Sequence, residues 1–266
     1  MPAASIRYWQ AMTTTEAAAV ARRDPVVILP LAAVEQHGPH LPLSTDLVIG
    51  LGILAHAFRR LPDDFPALVL PPQAVGASRE HVRFPGTLSV TPTLLADVVH
   101  QYGVAMAGCG VRRLVLANSH GGNRATLDAA GLRLRDELGL LVVKATYADF
   151  PQPVGVDLPE GEWRHGLHGG ALETAMMLHL APDDVRTGEI REFGSLGAEL
   201  DDAGSRLAPE GAVAFSWMAG DLNRSGVTGD ARLADAATGK ILVEHFGEIL
   251  ADVIRDAGAF PIDRLA

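Results

Sequence analysis

The eight-residue run Pro25 to Ala32 (PVVILPLA), with Glu35 and His37 following close behind, constrains this chain more than any other feature. A run without polar alternation suits a strand covered on both faces, as in a parallel sheet flanked by helices. A carboxylate and an imidazole directly after such a strand need partners, because an unpaired buried carboxylate is costly. The run therefore predicts both the layering of the fold and a place where polar chemistry gathers.

The rest of the chain continues the rhythm. Ser44 and Thr45 are candidate N-caps for a helix to about Arg60. Ala67 to Pro71 reads as a second strand and Thr87 to Val90 as a short third. Pro92 stands where a first-turn proline is tolerated and opens a helix to about Gly108. A strand from Arg113 to Ala117, a helix from roughly Asn123 to Leu138 and a strand from Leu140 to Thr146 follow. The Pro- and Gly-rich stretch Phe150 to Leu167 is expected to be a loop, and a helix runs from about Gly170 to Leu180. Residues 191–230 are expected to be irregular, before a last helix from about Leu233 to Asp256. Strands alternating with helices across short links predict a mostly parallel central sheet with helices on both faces. No repeat, low-complexity tract or linker interrupts the pattern, so residues 1–266 read as a single α/β domain.

Composition narrows the function classes. The hydrophobic share of 48% is enough for a substantial core. Net charge is −10 and no basic stripe occurs, which argues against nucleic acid as a partner. No window approaches the length of apolar sequence that a membrane span needs. Met1 to Thr15 lacks the basic and apolar regions of a signal peptide, so a cytoplasmic protein is expected. Cys109, the only cysteine, permits no intrachain disulfide and reads as apolar filling within Ala-Gly-Cys-Gly.

Three clusters carry the chemistry. Glu35-Gln36-His37-Gly38-Pro39-His40 ends at Asp46, directly after the first buried strand. Glu35 and His37 are two residues apart and leave an extended backbone from the same side. Asn118-Ser119-His120-Gly121-Gly122-Asn123 again closes a strand and opens a helix, and its glycines let the backbone approach closely whatever His120 holds. His168-Gly169-Gly170-Ala171-Leu172-Glu173 sets a histidine at a helix entrance and a glutamate in its first turns. Imidazoles and carboxylates converging at strand ends are what a Zn2+, Mn2+ or Fe2+ site requires. His56, His100, His179 and His245 lie within helices and read as surface or boundary residues. His81 and His165 are candidates for the pocket wall, and His40 for a supporting position.

EQHGPHLPLSTD, NSHGGN and HGGALET, in that order, closely resemble the motifs of the creatininase family of amidohydrolases. GASREHVRFPGTLS (Gly76 to Ser89) and SGVTGDARLA (Ser225 to Ala234) add to the resemblance, which spans about Pro25 to Ala236. It implies a single α/β domain with a parallel core sheet, one or two divalent metal ions per subunit and assembly as a homohexamer. Position by position, Glu35, His37, Asp46, His120 and Glu173 match the family's metal ligands, with Asp46 the carboxylate that can bridge two ions. His168 matches a catalytic histidine. Ser119 stands where the family usually has glycine. Gly122 stands where creatinine hydrolases carry a glutamate, which removes a carboxylate from beside the metal and predicts that creatinine is a poor substrate.

The implied reaction is metal-assisted hydrolysis of a C–N amide bond in a small molecule, with His168 shuttling the proton to the departing nitrogen. Cyclic amides, N-formyl amides and peptide-like bonds all fit. Creatinine hydrolysis proper and a metal-containing binding protein without turnover are the alternatives. A nicotinamide-dependent dehydrogenase is disfavoured because no G-x-G-x-x-G follows the first strand.

Overall fold

The computed structural model describes residues 6–265, so the first five residues of the stretch read for a leader lie outside it. In chain order the main elements are α1 (Thr14–Ala21), β1 (Val26–Leu31), α2 (Thr45–Arg60), β2 (Ala67–Val69), α3 (Pro92–Gly108), β3 (Arg113–Asn118), α4 (Arg124–Leu138) and β4 (Leu141–Thr146). They are followed by α5 (Glu160–His165), α6 (Ala171–Leu180), β5 (Glu192–Phe193), α7 (Leu196–Asp202), α8 (Ala219–Leu222), β6 (Gly229–Asp230) and α9 (Ala236–Ala259).

β1 to β4 form one sheet in the order β2-β1-β3-β4, with all three pairings parallel. Every residue of β1 is buried, as its unbroken apolar run requires. Val26 and Ile28 enter a core with Ile49, Ile53 and Leu54 of α2, Ala175 to Met177 of α6, and Leu242 and Phe246 of α9. Val27, Leu29 and Leu31 enter the opposite core, with Leu95 and Val99 of α3 and Leu127 and Leu134 of α4. Helices thus cover both faces, as the alternation of elements predicts. Burying each such aliphatic side chain contributes about 1.5–3 kcal/mol.

The departures have local causes. Thr87 to Val90 forms no strand; Leu88 makes only an isolated bridge to Val34. The proline-rich stretch after β4 contains α5, and residues 191–230 hold α7 and α8 between two short strands, β5 and β6, that pair antiparallel. Helix α1, absent from the sequence reading, begins on a reciprocal cap: Glu16 N donates to Thr13 Oγ1 while the Glu16 carboxylate accepts from Thr13 N at 2.7 Å. Cys109 is exposed at the C-terminal end of α3 and fills no core. His56 and His100 are buried, not boundary, and His100 Nε2 lies 2.8 Å from the Glu137 carboxylate.

Candidate metal centre

Strands β1, β3 and β4 end in register, with Leu31 opposite Asn118 and Asn118 opposite Thr146. The residues that follow them therefore emerge at one edge, the carboxyl end where parallel sheets collect ligands. After β1 the chain bends at Gly38, whose φ is +70°, and a Cβ there would sit 2.8 Å from the Val227 side chain. Glu35 and His37, just before this bend, are buried at 1% and 0% exposure and meet Asp46 in the first turn of α2.

Two asparagines tie the chain segments together. Asn118 Nδ2 donates to the His120 carbonyl at 2.7 Å and to Thr146 Oγ1 at 3.2 Å. Asn123 Oδ1 accepts from Ala77 N at 2.9 Å, while its Nδ2 donates to the Ala32 carbonyl at 3.2 Å and to Asn118 Oδ1 at 3.1 Å. On the far side, Glu173 Oε2 accepts from Gly169 N at 2.6 Å, and Tyr147 donates its hydroxyl proton to Oε1 at 3.4 Å. Glu162 of α5 accepts from Ala171 N at 2.6 Å and Asp230 N at 2.7 Å, which fixes the start of α6.

The sequence-predicted residues converge. His37 Nε2 lies 3.2 Å from Asp46 Oδ1 and 3.8 Å from Glu173 Oε2. His120 Nδ1 lies 3.2 Å from Asp46 Oδ2 and 3.3 Å from Glu35 Oε1. Asp46 thus turns one oxygen to each histidine. His168 Nδ1 is 3.7 Å from Glu35 Oε1, and its ring centroid is 4.1 Å from that of His37.

Backbone partners of fixed polarity settle where the protons sit. His37 Nδ1 donates to the Glu35 carbonyl at 3.1 Å, so a neutral His37 turns the bare Nε2 towards the carboxylates. His168 Nε2 donates to the Gln36 carbonyl at 2.7 Å, leaving its Nδ1 lone pair facing Glu35. The Gln36 amide is oriented by Gly38 N, which donates to its Oε1, and by the Gly226 carbonyl, which accepts from its Nε2 at 2.6 Å. His81 Nδ1, 2.8 Å from the same Nε2, must then accept, and its protonated Nε2 points at Glu35 Oε1, 3.5 Å away.

Lone pairs facing carboxylates need a cation between them. Glu35 Oε2, His37 Nε2 and Asp46 Oδ2 are buried without a hydrogen-bond partner among the described residues. His37, Asp46 and Glu173 each place one ligand atom within 4.8 Å of the others, a spacing that fits a divalent ion. Without an ion, protons take its place. Burial opposes the charged form of His37, but Asp46, Glu173 and Glu35 raise its pKa to about 9. His120 is likewise raised against burial by Glu35 and Asp46, and Glu35 is held well below the carboxylate range, against burial, by His120. Burial and the neighbouring His37 lower His168.

Three of the remaining candidates separate clearly. His81 is inside the centre. His40 is a support: its Nε2 is 3.0 Å from both the Gly169 carbonyl and Thr174 Oγ1, and burial lowers its pKa to about 4. His165 lies outside, beside Asp201 at 3.3 Å. The residue that sequence reasoning missed is Glu80, whose Oε1 is 3.6 Å from His120 Nε2. The expectation that Gly122 leaves this side of the site without a carboxylate is therefore corrected: a Cβ on Gly122 would overlap Glu80 Oε1. The only signal in the sequence was the position of Glu80 inside the GASREHVRFPGTLS segment.

Known proteins resemble this chain in sequence and in fold. The family model described as creatinine amidohydrolase (Creatininase) matches residues 10–254. The mycofactocin precursor peptide peptidase of Mycolicibacterium smegmatis is 34% identical over 233 residues, covering 87% of this chain and 85% of that protein. The creatinine amidohydrolase of Pseudomonas putida is 29% identical over 254 residues, covering 90% and 92%. A solved manganese creatininase superposes with a TM-score of 0.76 at 27% identity, covering 97% of this chain and 100% of that one. The chain belongs to the creatininase family.

Proposed function

We propose that this protein is a divalent-metal-dependent amidohydrolase that cleaves a C–N amide bond in a small peptide-like substrate. The observation that carries the reading is His37 Nε2, a buried lone pair facing Asp46 at 3.2 Å and Glu173 at 3.8 Å with no hydrogen-bond donor between them. Glu35, His37, Asp46, His120 and Glu173 are the residues that would hold one or two ions of zinc, manganese or iron. When bound, an ion supplies Lewis-acid activation of water and of the amide carbonyl.

His168 manages the proton. Its Nε2–H is committed to the Gln36 carbonyl, so Nδ1 takes the proton released on attack and delivers it to the departing nitrogen. The lowered pKa keeps that nitrogen free to accept. Tyr147 and Gly169 hold the Glu173 carboxylate in place from two directions.

The peptide-like class is favoured because mycofactocin precursor peptide peptidases are 34 and 35% identical to this chain, against 29% for the creatinine amidohydrolase. A second reading, hydrolysis of creatinine itself, is favoured by one observation, the Glu80 carboxylate beside His120. The proposal extends to a cytoplasmic protein and, by the family resemblance, to a homohexamer, whose assembly sedimentation of the purified protein tests. Among the described residues no helix is long and apolar enough to cross a membrane. The deciding experiment joins elemental analysis of protein purified without chelator to an amine-release screen over short peptides, N-formyl amines, cyclic ureides and creatinine. Absence of both stoichiometric metal and amine release would defeat the proposal.

A further inference from the structure

Glu80 sits in the 3-10 turn Arg79–His81, between β2 and α3, and its side chain is 19% exposed. Among the described residues no lysine or arginine lies within ion-pair distance of it. The charged group it approaches is His120, a residue already placed at the metal centre. A largely covered carboxylate without a basic partner calls for positive charge beside it.

Two further observations say what that charge is. One oxygen of Glu35, one oxygen of Glu80 and one nitrogen of His120 lie within 4.8 Å of one another. Atoms that share one transition ion at about 2.0–2.2 Å stand apart by distances of this order. The second observation is Gly122. A Cβ on that residue would overlap Glu80 Oε1 and stand 2.5 Å from His120 Nε2 and 2.6 Å from the Ala77 carbonyl. The Glu80 carboxylate therefore fills the volume that any side chain at position 122 would need, and the glycine is what leaves it room.

We propose that Glu80 is a metal ligand. With Glu35 and His120 it completes a second cation position next to the one enclosed by His37, Asp46 and Glu173. The inference rests on the metal-dependent reading given above. Asp46 joins the two positions, with Oδ1 3.2 Å from His37 Nε2 and Oδ2 3.2 Å from His120 Nδ1. The carboxylate arrives from the connection between β2 and α3, whereas a residue at 122 would bring it from the end of β3.

The test compares wild-type protein with Glu80→Gln and Glu80→Ala. All three are stripped of metal, checked for unchanged circular dichroism, and titrated with Mn2+ and Co2+. The wild type is expected to take up two ions per chain. The variants are expected to keep one at wild-type affinity and to bind the other more than about 100-fold more weakly, beyond the roughly 10–100-fold cost of losing a group that only supports a ligand. The visible spectrum of the Co2+-loaded protein is expected to change with the loss of a coordinating oxygen. Should Glu80→Ala fail to fold, the nearly isosteric Glu80→Gln carries the comparison alone. Unchanged affinity and stoichiometry in the variants would overturn the inference. Weakened binding with an unaltered Co2+ spectrum would overturn it too, by placing Glu80 outside the coordination sphere. A wild type that binds no ion defeats the metal-dependent reading itself, so the two failures are distinguishable.

Discussion

Gly239 of α9 packs directly against the backbone of Ala175 in α6, so closely that a Cβ on the glycine would overlap the Ala175 carbonyl. Helix α6 carries Glu173, and this contact sets how near that carboxylate comes to His37 and Tyr147. Gly239→Ala is expected to destabilise the fold by about 1–3 kcal/mol through overpacking, and to weaken metal binding as α6 shifts. Thermal melts and metal titration of the same preparation check both effects. An unaltered melting temperature would show that the helices part at no cost.

His37→Ala and Asp46→Ala are expected to lose metal and activity while keeping the fold. Both residues lie at the end of β1 or in the first turn of α2, above the apolar core and outside it. Elemental analysis of chelator-free preparations is the measurement, and wild-type metal content in both variants would sink their assignment as ligands.

His168→Ala is expected to keep its metal and to lose turnover by on the order of 10²–10⁴-fold, the range for a lost general acid–base. In the proposed reaction its Nδ1 accepts the proton, since Nε2 is committed to the Gln36 carbonyl. Near-normal kcat would transfer the role to His81, whose ring centroid lies 4.2 Å from that of His168.

Stability without metal is expected to peak near pH 6.5. His37 has a folded pKa of about 9 against 6.5 unfolded, so its contribution is complete below 6.5 and is lost as pH rises through 9. His40 and His81, lowered chiefly by burial to about 4 and about 3, are neutral in the fold, so stability also falls as pH drops below 6.5. A bound ion takes the place of the His37 proton and flattens the alkaline side. Melting curves from pH 4 to 9.5, with and without chelator, test this; a metal-free melting temperature that rises between 6.5 and 9 contradicts it.

Creatinine is expected to be turned over less well than short peptides. A kcat/KM for creatinine above about 10⁴ M⁻¹s⁻¹ with metal-reconstituted protein, and no hydrolysis of peptides, would reverse the order. It would also make Glu80 the group that restores creatinine chemistry to a site with Gly122.

The sheet and its two helical layers were legible because they rest on local signals, above all the unbroken apolar run that became β1. Helix α1 was missed although Thr13 and Glu16 form a reciprocal cap, since a short helix leaves little periodicity to detect. At the site, Glu35, His37, Asp46, His120, His168 and Glu173 could be singled out because each sits at an element junction. Glu80 could not, since its meaning depends on the space over Gly122, a residue far away in the chain. Glu162 was hidden similarly: its two bonds, to Ala171 and Asp230, exist only once α5, α6 and β6 have met. Pairings of this kind are made by the tertiary fold, and no local pattern announces them.

The proposed centre takes its side chains from the segment after β1, the first turn of α2, the end of β3 and the first turns of α6, four segments that adjoin only after the sheet has formed and α6 has seated on α9. An unfinished chain cannot capture an ion with native strength, so capture falls at the end of folding. The reverse is expected as well: with Glu173 as a ligand, release is eased when α6 lifts away and takes that carboxylate with it. The lifetime of the bound ion is then a clock for that local opening, and slow exchange of labelled metal would read out how rarely the helix leaves its seat.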